Sequence, residues 1–311
     1  MINRSVIAGQ LMFLFLIGCC GVPALCQHLD TGSIFAQPVE MDEFVLKSGF
    51  DVSAFIKRVR TDTTFYKAFR SMHLLSYDAV NNIDIYSTDG AKIIAAQKSK
   101  TRQQVIDRCR TMKVLEEKTT GKFYKRNGEY EYYTAELFAY LFFTNGRVCN
   151  EDDIVAGKMD MRGAGRLEKN KHELKQLIFN PGSRVRNIPF MADRLSIFDE
   201  GEAEKYDFKI TQEEYNGTGC FVFAIKPKKG FENKVLYKDL TTWFRKSDYS
   251  ILARDYSLSY HTFVYDFDVK MKVRTIQSGG KLYPSYISYD GNWHVFTKKR
   301  ERVRFNASIA Y

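Results

Sequence analysis

Two short motifs contain residue types that could bind a metal or a nucleotide, but their spacing suits neither task. His172-Glu173 resembles the start of a zinc-protease helix, yet Gln176 stands where the second histidine ligand is required. Gly163 and Gly165 lack the third glycine of a dinucleotide-binding loop and follow no predicted strand. We therefore predict neither a metal site nor a cofactor.

Carboxylates are the other candidates for chemistry. The run NEDD at residues 150–153 lacks the spaced ligands and the turn glycine of a calcium-binding loop. Asp266 and Asp268 lie beside lysines on the wet face of one predicted strand, which is typical of surface ion pairs rather than of a general acid–base pair. No Gly-x-Ser-x-Gly elbow and no Walker loop occurs. We predict no catalytic residues, and so a protein that is not an enzyme.

The first residues predict export. Arg4 gives a positive start, residues 11–17 are apolar, and Ala24 and Cys26 are small residues at the positions that a signal peptidase inspects. This order is that of a secretory signal peptide, which we place at residues 1–26. We expect the mature protein in the periplasm or associated with the outer membrane. The apolar run is too short for a spanning helix, so we expect no transmembrane helix in the mature chain.

Cleavage at this point would leave Cys109, Cys149 and Cys220. The first two lie in polar settings, whereas Cys220 lies in the apolar segment GCFVFAI. Because an exported protein can form disulfides, we predict a Cys109–Cys149 bond and a buried free thiol at Cys220. Three unpaired cysteines are one alternative. Lipidation is an alternative to cleavage after Cys26. Cys19 follows Leu-Ile-Gly as in a lipobox and, if lipidated, would tether the protein to a membrane.

The composition favours a β protein without a nucleic-acid partner. The formal net charge is +10 at pH 7, but the charges are scattered and form no block of one sign. Aromatic residues make up 14% of the chain, and only six residues are proline. Such a composition suits pleated, half-buried strands.

Two short helices are predicted near residue 50. Asp51 is a suitable N-cap for a helix whose Phe55 and Val59 share one face, and residues 61–64 offer a second cap before Phe65. From residue 71 the apolar period changes to two, which predicts a hairpin with its turn at 88–90 and its return strand at 91–99.

A second hairpin is predicted over residues 121–144, because Asn127-Gly128 is a strong hairpin turn signal. The strand pattern then stops from residue 145 to residue 198. Beyond it, long strands are predicted at 206–210, 220–226, 234–246, 249–260, 263–276, 281–289 and 293–305.

The strand at 263–276 has the clearest alternation. Its apolar residues would all lie on one face and its charged residues on the other. A slip of one residue would bury the whole charged row, so the pairing register is well determined.

These patterns predict a mostly β fold: a strongly curved antiparallel sheet, unclosed and barrel-like, with short N-terminal helices and a mixed helical and loop insertion. We divide the chain into the signal peptide (1–26), the helices and first part of the sheet (27–144), an insertion or connecting segment (145–205) and the strands that complete the sheet (206–311).

Aromatic residues of the predicted strands could form the core alone, or line a concave face that binds a hydrophobic ligand. A mostly apolar pocket of this kind needs no catalytic motif. The residues that we predict for this hydrophobic face are Tyr237, Trp243, Tyr256, Phe263, Tyr265, Phe267, Met271 and Tyr286.

The strand pair TTWFRKSDYSILARDYSLSY resembles the periplasmic outer-membrane lipoprotein-sorting (LolA/LolB-like) superfamily. There a strand with a tryptophan-containing segment, a turn and a strand with a basic residue recur. The matching positions are Thr241 to Arg245, the turn at 246–248, and Tyr249 to Tyr260 with Arg254 as the basic residue. The resemblance implies an unclosed barrel that carries acyl chains or lipoproteins across the periplasm.

We therefore predict an exported, noncatalytic binding protein of the cell envelope that holds a hydrophobic or lipid-like ligand, with an envelope or outer-membrane protein as a further partner. One alternative is an integral outer-membrane β-barrel, favoured by the alternation that leads to Tyr311. A structural or partner-binding envelope protein is the other.

Overall fold

The computed structural model describes residues 38–42, 50–150, 181, 196–262, 265–295 and 299–311, with backbone only at 265 and 295. These residues belong to the compact unit Ile34–Tyr311. The predicted signal peptide with Cys19 lies outside the described residues, as does most of the predicted insertion.

Strands dominate the described residues, and three helices accompany them. The helices are α1 (Val52–Thr61), α2 (Thr64–Ser71) and α3 (Tyr133–Phe142), with short 3-10 turns at Met72–Leu74 and Ala203–Lys205. The strands are β1 (Val39–Met41), β2 (Tyr77–Tyr86), β3 (Ile93–Ile106), β4 (Cys109–Gly121), β5 (Arg147–Cys149), β6 (Tyr206–Tyr215), β7 (Thr218–Pro227), β8 (Tyr237–Arg245), β9 (Ile251–His261), β10 (Tyr265–Ser278), β11 (Lys281–Val295) and β12 (Glu301–Ala310).

All twelve described strands belong to one sheet, in the order β1-β6-β7-β8-β9-β10-β11-β12-β2-β3-β4-β5. Neighbours are antiparallel, except that β1 runs parallel to β6. Strand β12 pairs with β2 over Arg302–Tyr86 to Ala310–Asp78, and so joins the early strands to the late ones. Strands β1 and β5 are the edges and do not pair with each other. The prediction of a mostly β fold with an unclosed sheet is confirmed.

One face of the sheet, which we call the covered face, carries the apolar side chains. Its central row crosses neighbouring strands in register, and every member is at most 4% exposed. Burial of such large side chains stabilises the fold by roughly 1.5–3 kcal/mol each. From β6 to β2 the row consists of Phe208, Ile225, Leu240, Tyr256, Met271, Tyr289, Phe305 and Ile83.

The opposite face, which we call the outer face, carries the charged side chains of the same strands. Asp268, Lys270 and Lys272 of β10 are exposed, as the alternation predicts. Arg304 Nε lies 2.9 Å from Asp290 Oδ2 across the β11–β12 pair. Exposed ion pairs of this kind add little stability, but they keep the outer face solvated.

Helices α1 and α2 begin where the sequence predicts. Asp51 Oδ1 accepts the backbone N–H of Ala54 (2.9 Å), which caps α1. Asp62 is the C-cap residue of α1. Its Oδ1 accepts the N–H of Thr64 (2.9 Å), the first residue of α2. The helical segment from Val52 to residue 74 is therefore bent. The predicted strand character of residues 71–76 is wrong, because a 3-10 turn precedes β2.

The predicted hairpin at 121–144 is also wrong. Residues 133–142 form α3, and only an isolated bridge between Tyr124 and Tyr130 remains of the hairpin. Its turn persists, since Gly128 has a φ of 83°. The apolar residues of the predicted return strand follow a helical spacing: Ala135, Phe138 and Phe142 are buried on one side of α3.

A carboxylate from a distant strand caps α3. Glu301 of β12 accepts the N–H groups of Tyr133 and Thr134 (both 2.9 Å) and the hydroxyl of Thr134 (2.7 Å). These donors are among those that a helix start leaves without intrahelical partners, and a negative charge there is favoured by the helix dipole. Glu301 therefore anchors α3 to the sheet.

Replacement of Glu301 by alanine is expected to lower the free energy of unfolding by about 2–3 kcal/mol, because hydrogen bonds to a charged group are each worth about 1.5–3 kcal/mol and are not additive. Urea unfolding of the purified protein measures this change. Glu116→Ala is the matched control: its carboxylate forms only an exposed pair with Lys100 and should have little effect. Equal losses in the two variants would contradict the capping role.

The last predicted turn is displaced. The predicted strands 281–289 and 293–305 are found as β11 to residue 295 and β12 from residue 301. Gly291, which is typical of a turn, instead lies within β11, where a Cβ would clash with the Tyr289 side chain that passes over it. Glycine in a strand marks such a close approach.

Candidate ligand-binding face

Helices α1 and α2 lie on the covered face through aromatic side chains. The Phe55 ring of α1 lies 5.3 Å from Phe244 and 6.3 Å from Phe223, both edge to face. Phe65 and Phe69 of α2 are buried and meet edge to face at 5.3 Å. Edge-to-face rings contribute about 0.5–1.5 kcal/mol beyond their buried area. The bent helical segment is thus held mainly by aromatic packing.

Helix α3 covers the neighbouring part of the same face. Phe138 stacks on Phe305 with ring centres 4.5 Å apart and meets Tyr289 at 4.9 Å. Phe142 stacks on Phe305 at 5.1 Å. Tyr77 of β2 donates its hydroxyl hydrogen to the Phe142 carbonyl (3.5 Å). Strands β11, β12 and β2 are therefore in contact with α3.

A buried cation lies between α2 and the sheet. Arg254 of β9 donates from Nε to Thr242 Oγ1 (2.9 Å), and its guanidinium lies 4.4 Å over the Phe65 ring. Burial lowers the pKa of Arg254, while the nearby Asp62 carboxylate acts in the opposite direction. A desolvated cation–π contact is worth about 2 kcal/mol, so Arg254 helps to fix α2 on the covered face.

Strand β3 differs from the rest of the covered face. Four successive covered-face residues, which follow the buried Ala95, are polar, alternate along the strand and are at most 5% exposed; we call them the β3 polar row. They are Gln97, Ser99, Thr101 and Gln103. Transfer of such groups from water costs free energy unless they are hydrogen-bonded, so their partners decide whether the row is merely structural.

Half of the β3 polar row is well bonded. Asn81 Nδ2 donates to Thr101 Oγ1 (3.1 Å). Gln103 Nε2 donates to the carbonyls of Met72 (3.0 Å) and Leu75 (2.9 Å). The Thr144 hydroxyl donates to Gln103 Oε1 (3.2 Å). Gln103 thereby ties the end of the bent helical segment to β3.

The other two residues of the β3 polar row, Gln97 and Ser99, each have an unpaired atom. The Oγ of Ser99 and the Oε1 of Gln97 are buried without a hydrogen-bond partner in the described part of the protein. Gln97 Nε2 donates to Glu117 Oε1 and to the Tyr124 hydroxyl (2.6 Å), and the same hydroxyl donates to Glu117 Oε1 (2.6 Å). Because a carboxylate only accepts hydrogen bonds, these contacts fix the Gln97 amide with Oε1 on the unpaired side.

The outer face holds one chain of hydrogen bonds with a serine, a histidine and an aspartate. Ser259 Oγ lies 2.9 Å from His261 Nε2, and His261 Nδ1 lies 2.7 Å from Asp266 Oδ1. The Ser259 hydroxyl also donates to Asp268 Oδ1 (2.5 Å). The Ser259 N–H donates to the Leu236 carbonyl and so is not free to stabilise an oxyanion. We interpret these hydrogen bonds as a surface network.

The chain resembles two solved structures at a distance. One is a DUF1329 family protein from Desulfovibrio piger: 11% identity, TM-score 0.22, 79% of this chain and 92% of that one covered. The other is an outer membrane lipoprotein-sorting protein domain from Vibrio parahaemolyticus: 10% identity, TM-score 0.25, 82% of this chain and 89% of that one covered. No family model matches the sequence, and no curated protein does. At these scores the resemblance assigns no function.

Four residues of the predicted hydrophobic face lie on the covered face. Tyr237, Tyr256, Phe267 and Met271 are at most 2% exposed. Burial raises the pKa of the Tyr256 hydroxyl well above its ordinary value. Phe263 lies outside the described residues, as does the side chain of Tyr265.

Trp243 and Tyr286 lie on the outer face, which corrects their predicted placement. A β-bulge between Tyr237 and Asp239 shifts the alternation of β8, so that Thr242 points to the covered face and Trp243 away from it. Trp243 packs beside Tyr215 with ring centres 5.8 Å apart.

Tyr286 precedes the buried Ile287, so the alternation of β11 directs it outward. There its hydroxyl donates to Asn306 Oδ1 (3.1 Å). Neither this residue nor Trp243 can line a ligand site on the covered face.

Two parts of the candidate site were missed in the sequence. Phe138 and Phe142 were assigned to a strand, although their spacing of four residues is that of one helix face. The β3 polar row was not predicted because it has no apolar alternation, the pattern that indicates a buried strand face. Alternating uncharged and charged residues from Gln97 to Gln103 are the signal that could have found it.

Cys109 and Cys149 form a disulfide (S–S 2.05 Å) between β4 and β5, the pairing predicted from sequence. Cys220 is a buried free cysteine, and burial raises its pKa. Within the described ranges, no group of three or more His, Cys, Asp or Glu residues could hold a metal ion. Nor does any helix of these ranges have the length and apolar character needed to cross a membrane.

Proposed function

We propose that this chain is an exported, noncatalytic binding protein of the cell envelope that holds a hydrophobic or lipid-like ligand between the covered face and the helices α1–α3. The observation that carries the proposal is the aromatic packing of these helices on an open sheet. Phe55 packs on Phe244 and Phe138 on Phe305, while the Phe65 ring lies against the Arg254 guanidinium of β9.

The helices are suited to give way to a ligand. Helices of ten or fewer residues are marginal in water on their own, so α1, α2 and α3 depend on the covered face for their stability. An acyl chain could replace their side chains on Phe244, Phe305 and Tyr289 with apolar contacts of the same kind, and the area removed from water would change little. Ligand binding is then an exchange of similar contacts.

The remaining features of the proposal follow from the sequence. The signal peptide at 1–26 would direct the chain to the periplasm or the outer membrane, and an envelope protein would deliver or receive the ligand. Residues 27–144 and 206–311 would supply the sheet except for its edge strand β5, and residues 145–205, which contain β5, would be an insertion or connecting segment.

Native mass spectrometry of residues 27–311, purified from a periplasmic expression host without detergent, tests the proposal. We expect a soluble protein that carries one lipid-sized adduct. Lys270→Glu, on the outer face, should keep the adduct, and its loss in that variant would contradict the assignment of the faces. A soluble protein without an adduct would favour a structural or partner-binding role, and dependence on detergent would favour an integral membrane protein.

A further inference from the structure

The geometry points to a head-group site at Gln97 and Ser99 for an amphiphile whose neutral head donates hydrogen bonds. This inference rests on the proposed function and names the ligand class. The two unpaired atoms, Gln97 Oε1 and Ser99 Oγ, belong to alternate residues of β3 that face the same side, at 3% and 5% exposure. Buried polar atoms of native proteins are nearly always paired, so two neighbouring exceptions call for a partner.

The position of the pair continues the apolar row of the covered face. Gln97 is in register with Ile83 of β2, which is in register with Phe305 of β12. Adjacent strands lie about 4.8 Å apart, so an acyl chain that lies on Phe305 and Ile83 reaches Gln97 on the next strand. The acyl part of an amphiphile would therefore occupy the apolar strands while its head reaches β3.

The chemistry of the pair selects the head group. Gln97 Oε1 can only accept a hydrogen bond, whereas the Ser99 hydroxyl can donate or accept. Glu117, in register with Ser99 on β4, already accepts hydrogen bonds from Gln97 and Tyr124. A second carboxylate or a phosphate would be repelled by Glu117 and would bring no donor for Gln97. A hydroxyl or an amide N–H satisfies both requirements.

The unpaired atoms also favour the bound state of the proposed site. Buried without a protein partner, they lack the hydrogen bonds that water would give them in an unfolded chain, which is unfavourable. A ligand that pairs them removes this cost only in the bound form. Such a difference in interaction between two states is what allows a ligand to shift the equilibrium between them.

Three ligands with the same eighteen-carbon chain test the inference: oleamide, monooleoylglycerol and oleate. Each competes with the apolar fluorescent probe N-phenyl-1-naphthylamine for residues 27–311 of the wild type. We expect the two neutral heads to bind about tenfold more tightly than oleate, which corresponds to one or two hydrogen bonds. In Ser99→Ala the preference for the neutral heads over oleate should fall about threefold, while the affinity for the apolar probe stays unchanged.

Thr101→Val is the matched control, because Thr101 lies on the same face of β3 but is already bonded to Asn81. It should lower the thermal midpoint and leave the head-group preference unchanged. Equal affinities of the three ligands, unchanged in Ser99→Ala, would overturn the inference. An ordered water would then be the partner of the two atoms, and the proposed function would stand. Failure of all three ligands and of the probe to bind would remove both.

Discussion

Phe267→Asp is expected to prevent folding or to lower the free energy of unfolding by more than about 4 kcal/mol. Phe267 is 1% exposed and lies between Trp293, with ring centres 4.8 Å apart, and Tyr260, at 6.0 Å. The substitution removes these contacts, which alone cost about 3–5 kcal/mol for a buried phenylalanine, and leaves a carboxylate in an apolar site. Circular dichroism and urea unfolding of the purified variant measure the loss.

Trp243→Asp is the matched control, with the same type of change on the other face of the sheet. Trp243 is partly exposed, and its Nε1 donates to Glu213 Oε2 (3.2 Å) beside Tyr215. The new carboxylate would stay in contact with water, so we expect a folded protein that loses about 1–2 kcal/mol. If the two variants were destabilised equally, the assignment of the faces at the β8 bulge would be wrong.

Removal of the disulfide is the second large effect. Replacement of both Cys109 and Cys149 by serine is expected to lower the free energy of unfolding by about 4 kcal/mol, the chain-entropy value for a closed loop of this length; the two cysteines are 40 residues apart in sequence. The loop contains α3, and β5 pairs with β4 over only three residues. Denaturant unfolding of the double variant under non-reducing conditions provides the measurement.

Cys220→Ser controls for the substitution itself. Cys220 is buried but unbonded to another cysteine, so its replacement changes packing and polarity without opening a loop. A reducing agent should destabilise the wild type and this control alike and should leave the double variant unaffected. A wild type that is indifferent to reduction would contradict a stabilising role of the Cys109–Cys149 bond.

The sequence was most informative where local rules and burial agree. Asp51 caps α1, and Asp62 accepts the first backbone N–H of α2, because both contacts depend on a few adjacent residues. The strand with Phe267, Val269 and Met271 was predicted correctly because each error of register would bury a charged row.

Contacts between distant residues explain the errors. Helix α3 depends on Glu301, more than 160 residues away in sequence, and no local signal reveals that partner. The bulge after Tyr237 reverses the faces of the following residues, so a correct strand gave a wrong position for Trp243. The head-group residues Gln97 and Ser99 gain their significance only from burial, which a sequence does not display.

The pairing of β12 with β2 has a consequence for the order of folding. On one side β2 is joined to β3 by a short turn, but its other neighbour follows more than 200 residues later in the chain. Strands β2–β5 therefore cannot join the rest of the sheet before β12 has been synthesised. Folds dominated by such long-range pairing form slowly. For the export that we propose, such a delay would leave the chain time to cross a membrane unfolded.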